Sequence, residues 1–217
     1  MSRLRNKLVT LSGGNREVTE QYRSLRAQLE QGWDAGPRIV AAVAPREGNG
    51  TAETAANLAV AYAQAGRRTL LVDGDMSKPS VHALFGLPNE LGLSTILERA
   101  CEPGEAVHGD IIANLSVMTA GPSPLYSGDP LGSYSLRQMF DQWRSDNDIV
   151  WLSAPPLLSS SDAQLLVAAC DGTLLVMQSG VVDESDAFRV KRMLALLEVR
   201  TLGVALTHRR RRSWLKF

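Results

Sequence analysis

The chain has 217 residues, 44% of them hydrophobic and 21% charged, which is enough to bury a full core, most simply as one domain. Its 23 Lys plus Arg balance 23 Asp plus Glu, which excludes a global field that would steer it to nucleic acid and leaves only local electrostatic roles. Cys101 and Cys170 stand alone without CxxC or Cys/His spacing, which argues against zinc and against a disulfide framework; reduced, buried thiols are expected. The first residues carry no apolar signal core and no window approaches eighteen apolar residues, so a cytoplasmic protein is expected, docked at most peripherally at the inner face of the membrane through a partner.

Residues 1–16 are polar, basic and glycine-bearing and read as a mobile arm. Residues 17–33 turn helical, with Tyr22, Leu25 and Leu29 on one face and Glu20, Arg23 and Arg26 spaced three apart. On periodicity alone those charges are an i,i+3 ladder on a solvated helix, each pair worth about 0.2–0.5 kcal/mol. The apolar run 39–44 is a buried strand, 45–50 breaks it, 51–66 has helix composition, and a second strand at 69–72 ends on Asp73 and Asp75. Beyond a short helical or irregular stretch at 76–87, a helix restarts near Leu93. Strands follow at 114–119, 148–152, 173–178 and 202–206, with helices at 135–144, 162–169 and 184–198. The fourth of these six strands runs into Ser153-Ala154-Pro155-Pro156, where the prolines stop it. Strands alternating with helices, several as continuous apolar runs, predict an α/β fold: a mostly parallel sheet flanked by helices on both faces, over a domain spanning residues 17–208. His82 and His108 have no partner that the sequence places beside them and read as surface or packing residues.

The stretch 38–75 has the form of a phosphate-binding unit, in which loop N–H groups and a helix N-terminus surround a phosphate between two strands. A competent loop ends in Gly-Lys-Ser or Gly-Lys-Thr, the lysine reaching the β/γ-phosphates and the hydroxyl ligating Mg²⁺. Here Gly48, Asn49 and Gly50 are followed by Thr51 and Ala52. The lysine and the metal-binding hydroxyl are both missing.

EQYRSLRAQL at 20–29, NLAVAYAQAG at 57–66, TLLVDGDMSKP at 69–79 and LPNELGLSTIL at 87–97 together resemble the bacterial tyrosine kinases of capsule and exopolysaccharide synthesis. That family lies within the ParA/MinD group of P-loop ATPases, and the resemblance covers residues 17–207. It implies a P-loop NTPase fold of the ParA/MinD type, and it implies that Glu20, Arg23 and Arg26 pack against neighbouring subunits to build a ring, which displaces the reading of an idle solvated helix. It also implies ATP-Mg²⁺ as cofactor, phosphorylation of a tyrosine cluster in the C-terminal tail, and action on or within a membrane polysaccharide co-polymerase.

The departures fall where the family does chemistry. Thr51 and Ala52 replace the loop lysine and hydroxyl; the second acidic motif keeps Asp73 and Asp75 but has Ser77 for its arginine; Ser153 replaces the aspartate before the two prolines; and Thr207 matches the asparagine that ends the last strand near the adenine. Tyr22, Tyr62, Tyr126 and Tyr134 are the only tyrosines, so the tail has no phosphorylation cluster. Each charge-assisted hydrogen bond contributes about 1.5–3 kcal/mol, so losing the lysine alone weakens phosphate affinity about ten- to a hundred-fold. Asp73 and Asp75, without cations to offset them, would repel a triphosphate.

The sequence therefore predicts a catalytically degenerate relative with no metal site and no cofactor, acting as a regulatory or structural component of exopolysaccharide or adhesin assembly and export. Its expected partners are itself, through Glu20, Arg23 and Arg26, and a membrane polysaccharide co-polymerase or an active kinase paralogue. One alternative is an active tyrosine kinase or ATPase, with ATP-Mg²⁺ held in a rearranged site using Arg46, Asp73 and Asp75. Arg46 falls where the ParA/MinD group places a signature lysine, although an arginine beside Glu47 is more simply a solvated ion pair, and Lys78 a surface residue. A second alternative is a ParA/MinD-like positioning factor. Residues 209–217 form a basic-aromatic tail in which Arg209, Arg210, Arg211, Arg212 and Trp214 suit an anionic membrane or an acidic partner; a solvated, disordered terminus is the competing reading.

Overall fold

The computed structural model describes residues 7–31, 38–123 and 134–207. The strands are β1 (Ile39–Val43), β2 (Thr69–Asp73), β3 (Val107–Ile112), β4 (Leu115–Met118), β5 (Ile149–Ser153), β6 (Gly172–Gln178) and β7 (Thr201–Thr207). They form one sheet in the order β3-β4-β2-β5-β1-β6-β7, parallel at every pairing except β3 with β4. The helices are α1 (Val9–Ser12), α2 (Arg16–Gln31), α3 (Thr51–Gln64), α4 (Val81–Phe85), α5 (Leu93–Leu97), α6 (Tyr134–Asp146), α7 (Ser161–Ala168) and α8 (Glu184–Leu196).

The continuous apolar runs of β1 and β5 are buried at all five of their positions, as strands covered on both faces require. Side chains alternate across the sheet, so Ile39, Ala41 and Val43 join one core with residues of α5 to α8, while Val40 and Ala42 join the other with α2 and α3. Small residues at Ala55, Ala56, Ala59 and Ala63 let α3 lie close on the sheet, and Tyr62 meets Trp151 of β5 with ring centroids 5.9 Å apart. No helix among the described residues is long and apolar enough to cross a membrane.

Two expectations change. Residues 7–13, read as part of a mobile arm, are seated: Leu8 is buried, and α1 is bonded to α3 through Asn57, which accepts from the Thr10 backbone N–H at 3.1 Å and the Thr10 hydroxyl at 2.9 Å. A polar, basic composition did not reveal that Leu8 and Thr10 have buried partners. The strand β3 was not anticipated, because VHGDII lacks alternation; it forms as the antiparallel half of a hairpin whose turn uses Asn114 at φ 66°. The tail residues Arg209, Arg210, Arg211, Arg212 and Trp214 lie outside the described residues, as do the rest of 208–217 and residues 1–6, 32–37 and 124–133.

Candidate functional site: the glycine loop

Parallel strands bring their C-terminal ends to one edge of the sheet, and the residues singled out in the sequence gather there. Asp73 at the end of β2 is level with Ser153 at the end of β5, which is level in turn with Ala42 of β1; Gln178 and Thr207 end β6 and β7 side by side. Between β1 and α3 the loop turns through Gly48 at φ 80° and Gly50 at φ 82°, conformations that an L side chain adopts only with strain.

Asn49 knots this loop to the sheet. It is buried, donates from Nδ2 to the Arg46 carbonyl at 2.8 Å, accepts from the Gln178 N–H at 2.8 Å, and offers its carbonyl to the Thr207 hydroxyl at 3.0 Å. Asn49 and Thr207 therefore hold the loop from behind. Asp73 also faces inward: fully buried, it accepts from the N–H groups of Ser80 at 2.8 Å, Val81 at 2.9 Å and Asp75 at 3.2 Å, and so fixes the turn into α4. Burial pushes its carboxyl above the usual carboxylate range despite those donors.

The remaining candidates, Arg46, Gly48, Gly50, Thr51, Ala52, Asp75 and Ser153, line a cavity of about 350 Å³. Two residues that the sequence did not bring forward, Lys7 and Glu53, join them, as does Lys78, which the sequence read most simply as a surface residue. Every cation here is answered by a carboxylate. Lys7 Nζ lies 2.5 Å from Glu53 Oε1, and Lys78 Nζ lies 2.6 and 2.7 Å from the two oxygens of Glu47. Arg46 does not pair with Glu47. Its Nη2 donates to Asp186 Oδ1 at 2.9 Å and its Nε to Oδ2, making a two-pronged bond to the first turn of α8. That bond, followed by the pair's mutual attraction, raises the Arg46 guanidinium and holds Asp186 below the usual carboxylate range. Asp75 accepts from the Lys78 backbone N–H at 2.9 Å; burial, and to a smaller degree the neighbouring Glu47, push its carboxyl up.

The residues present do not fit a magnesium triphosphate. At the loop, Thr51 supplies no cation and Ala52 no metal-binding hydroxyl, Ser153 supplies no carboxylate, and the Arg46 guanidinium is engaged elsewhere.

Upstream, α2 splits the charged triplet. Glu20 and Arg23 pair with each other at 2.7 Å with more than half of each side chain exposed. Arg26 is 22% exposed, bonds Glu30 at 2.6 Å and sits 6.0 Å over the ring of Tyr62. Nothing in the spacing distinguished it from Arg23. The partners Asp186 and Lys7 were equally illegible, since each lies far along the chain from the loop it contacts.

The ParA family model, described as NUBPL iron-transfer P-loop NTPase, matches residues 37–206. The tyrosine-protein kinase YwqD of Bacillus subtilis is 32% identical over 206 residues, 94% of this chain and 87% of that protein. The chain belongs to the bacterial tyrosine-protein kinase family of ParA-type P-loop NTPases. Among solved structures, the chimerical protein CapA2B2 superposes on this family member with a TM-score of 0.88 at 30% identity, covering 94% of this chain and 90% of that one. The septum site-determining protein MinD of Pyrococcus horikoshii, at a TM-score of 0.67 and 21% identity, covers 78% and 69% and shares the fold. Resemblance and fold thus agree with the sequence reading.

Proposed function

We propose that this chain is a catalytically degenerate member of its family, a regulatory or structural component of exopolysaccharide or adhesin assembly and export. It would work through self-association and through binding a membrane polysaccharide co-polymerase or an active kinase paralogue, without ATP-Mg²⁺. The observation that carries this reading is the closed charge balance at the loop: Lys7, Lys78 and Arg46 are each matched by a carboxylate of the same chain, while Asp75 remains near the phosphate positions. A triphosphate would have to break those pairs and approach Asp75 with no lysine at position 51 to compensate. Exposure of Glu20 and Arg23 on α2 supports self-association through that helix.

Titration calorimetry with ATP and ADP, each with and without Mg²⁺, tests the degeneracy. No heat up to millimolar nucleotide is expected; micromolar, Mg²⁺-dependent binding would overturn the reading in favour of a working kinase or ATPase. Sedimentation of the same samples tests the assembly. Association independent of nucleotide is expected, whereas dimerisation gated by ATP would favour a positioning factor of the MinD kind.

A further inference from the structure

The two edges of the sheet differ. At β3 the register with β4 shifts between His108 and Ile112, and Asp110 stands in the irregular stretch at φ 53°. A bulged strand that carries a charge is a poor template for another chain. At the other edge β7, bonded among the described residues to β6 alone, reads TLGVALT, with neither charge nor proline, and keeps a regular register from Gly203 to Thr207. Its Val204 and Leu206 are 51% and 67% exposed.

The backbone of β7 fixes which groups are free. The Ser179 N–H donates to the Thr207 carbonyl at 2.9 Å, so Thr207 turns toward β6, and by the alternation of a strand Ala205 does as well. The N–H and C=O groups of Val204 and Leu206 therefore point outward. Their side chains stand on the α8 face, level with Leu175 and Met177, which pack in the core that holds Val190 and Leu194 of α8. α8 stops short of them. On the other face a groove of about 590 Å³ lies between residues 204–207 and α2.

We propose that β7 pairs antiparallel with β7 of a second copy about a two-fold axis at Ala205, joining the two sheets into one. That register sets Val204 opposite the partner's Leu206, and Leu206 opposite the partner's Val204. Both members of each pair carry outward backbone groups, so each pair exchanges N–H···O=C bonds in both directions and sets two exposed apolar side chains against each other. The order apolar, small, apolar about Ala205 is its own complement, which is what selects a second copy over another chain. Charge agrees with the axis. Standing perpendicular to the sheet, it lays the two α8 helices antiparallel on one face. α8 opens with exposed Asp183 and Glu184 and carries exposed Lys191 and Arg192 two turns on, an order that an antiparallel copy complements. The contact is separate from Glu20 and Arg23 on α2, and it rests neither on their use nor on the loop being degenerate.

Oxidative cross-linking of the full chain tests it, with Cys101→Ser removing the partly exposed thiol. At the axis Ala205 meets its counterpart in a non-hydrogen-bonded pair, with Cα atoms about 4.5 Å apart and within disulfide reach. Ala205→Cys should therefore give a linked dimer, while Gly203→Cys, where a side chain meets nothing within 4 Å, should not. Val204→Lys with Leu206→Lys sets like charges opposite each other on exposed positions, and should weaken the dimer at least about tenfold in sedimentation. No cross-link at Ala205→Cys, an equal one at Gly203→Cys, or unchanged sedimentation of the lysine variant would overturn the proposal. Adding Arg23→Ala should leave the Ala205→Cys cross-link in place; its loss would assign the contact to α2 and overturn the proposal as well.

Discussion

Arg46 and Asp186 are joined by two parallel hydrogen bonds across 140 residues of sequence, which staples the glycine loop to the first turn of α8. Arg46 is thereby held in a contact between the loop and α8. Asp186→Asn should lower the melting temperature by a few degrees at neutral pH. The sign with pH follows from the depressed carboxyl: the folded state binds fewer protons than the unfolded one, so the contribution is full above the ordinary value of about 3.9 and is lost as pH falls through the folded value. The gap between the two proteins should therefore be constant near pH 7 and close below about pH 4. A gap that persists unchanged in acid would show that the pair is not its source.

Because Arg46 is engaged, Arg46→Ala should leave nucleotide affinity where it is, while rebuilding the loop should create affinity. Thr51→Lys with Ala52→Ser restores the cation and the hydroxyl, and Ser153→Asp restores the carboxylate of the metal site. The lysine alone is expected to raise affinity about ten- to a hundred-fold, at roughly 1.4 kcal/mol per decade. Calorimetry on the triple variant, with and without Arg46→Ala added to it, decides the matter. A drop in affinity when Arg46→Ala is added to the triple variant would return that residue to the phosphate site.

The strand–loop–helix–strand unit was legible because its signals are local: buried apolar runs, paired glycines and a helix of alanines sit within 38 consecutive residues. That Thr51 and Ala52 stand where a competent loop carries Lys and Ser or Thr was legible for the same reason. What neutralises the site was not, because Asp186 and Lys7 reach it only through the fold. Arg23 and Arg26 make the same point on a smaller scale. Their identical spacing hid the fact that one helical position faces water and the other faces Tyr62.

That division predicts different outcomes for two similar substitutions. Arg26→Ala removes a partly buried ion pair and a cation over an aromatic ring, and should destabilise the chain by about 1 kcal/mol. Arg23→Ala removes only an exposed i,i+3 pair and should leave stability within about 0.5 kcal/mol of the parent. If α2 mediates self-association, sedimentation should nonetheless detect the loss of Arg23. Equal destabilisation by both would contradict the assignment of Arg26 to the interior.

Asn57 carries the seat of the N-terminal segment. It accepts from Thr10 twice and donates to the Lys7 carbonyl at 2.9 Å, all at a site 1% exposed. Asn57→Ala leaves the buried Thr10 N–H unpaired, which costs about 1–3 kcal/mol. The amides of residues 8–13 should then exchange faster while those of β1 keep their protection. Unchanged exchange at 8–13 would mean that Leu8, buried against the same core, holds the segment by itself.

Asp73 provides the opposite case to Asp186. Its fully buried carboxylate receives three backbone donors, yet burial still lifts its proton affinity above the ordinary range. Between the ordinary value of about 3.9 and the raised one the folded state holds the proton that the unfolded state has released, so stability falls as pH rises through that window. Asp73→Asn does not titrate, and its amide can serve the Ser80 and Val81 donors with the carbonyl while presenting NH₂ to the Asp75 N–H. The variant should be less stable by about 1–3 kcal/mol, from one unpaired donor. Urea midpoints measured against pH should show the parent losing its advantage as pH rises from about 4, the reverse of the trend for Asp186→Asn. A parent that instead gains on the variant with rising pH would mean that the three N–H groups outweigh burial and that Asp73 is held ionised.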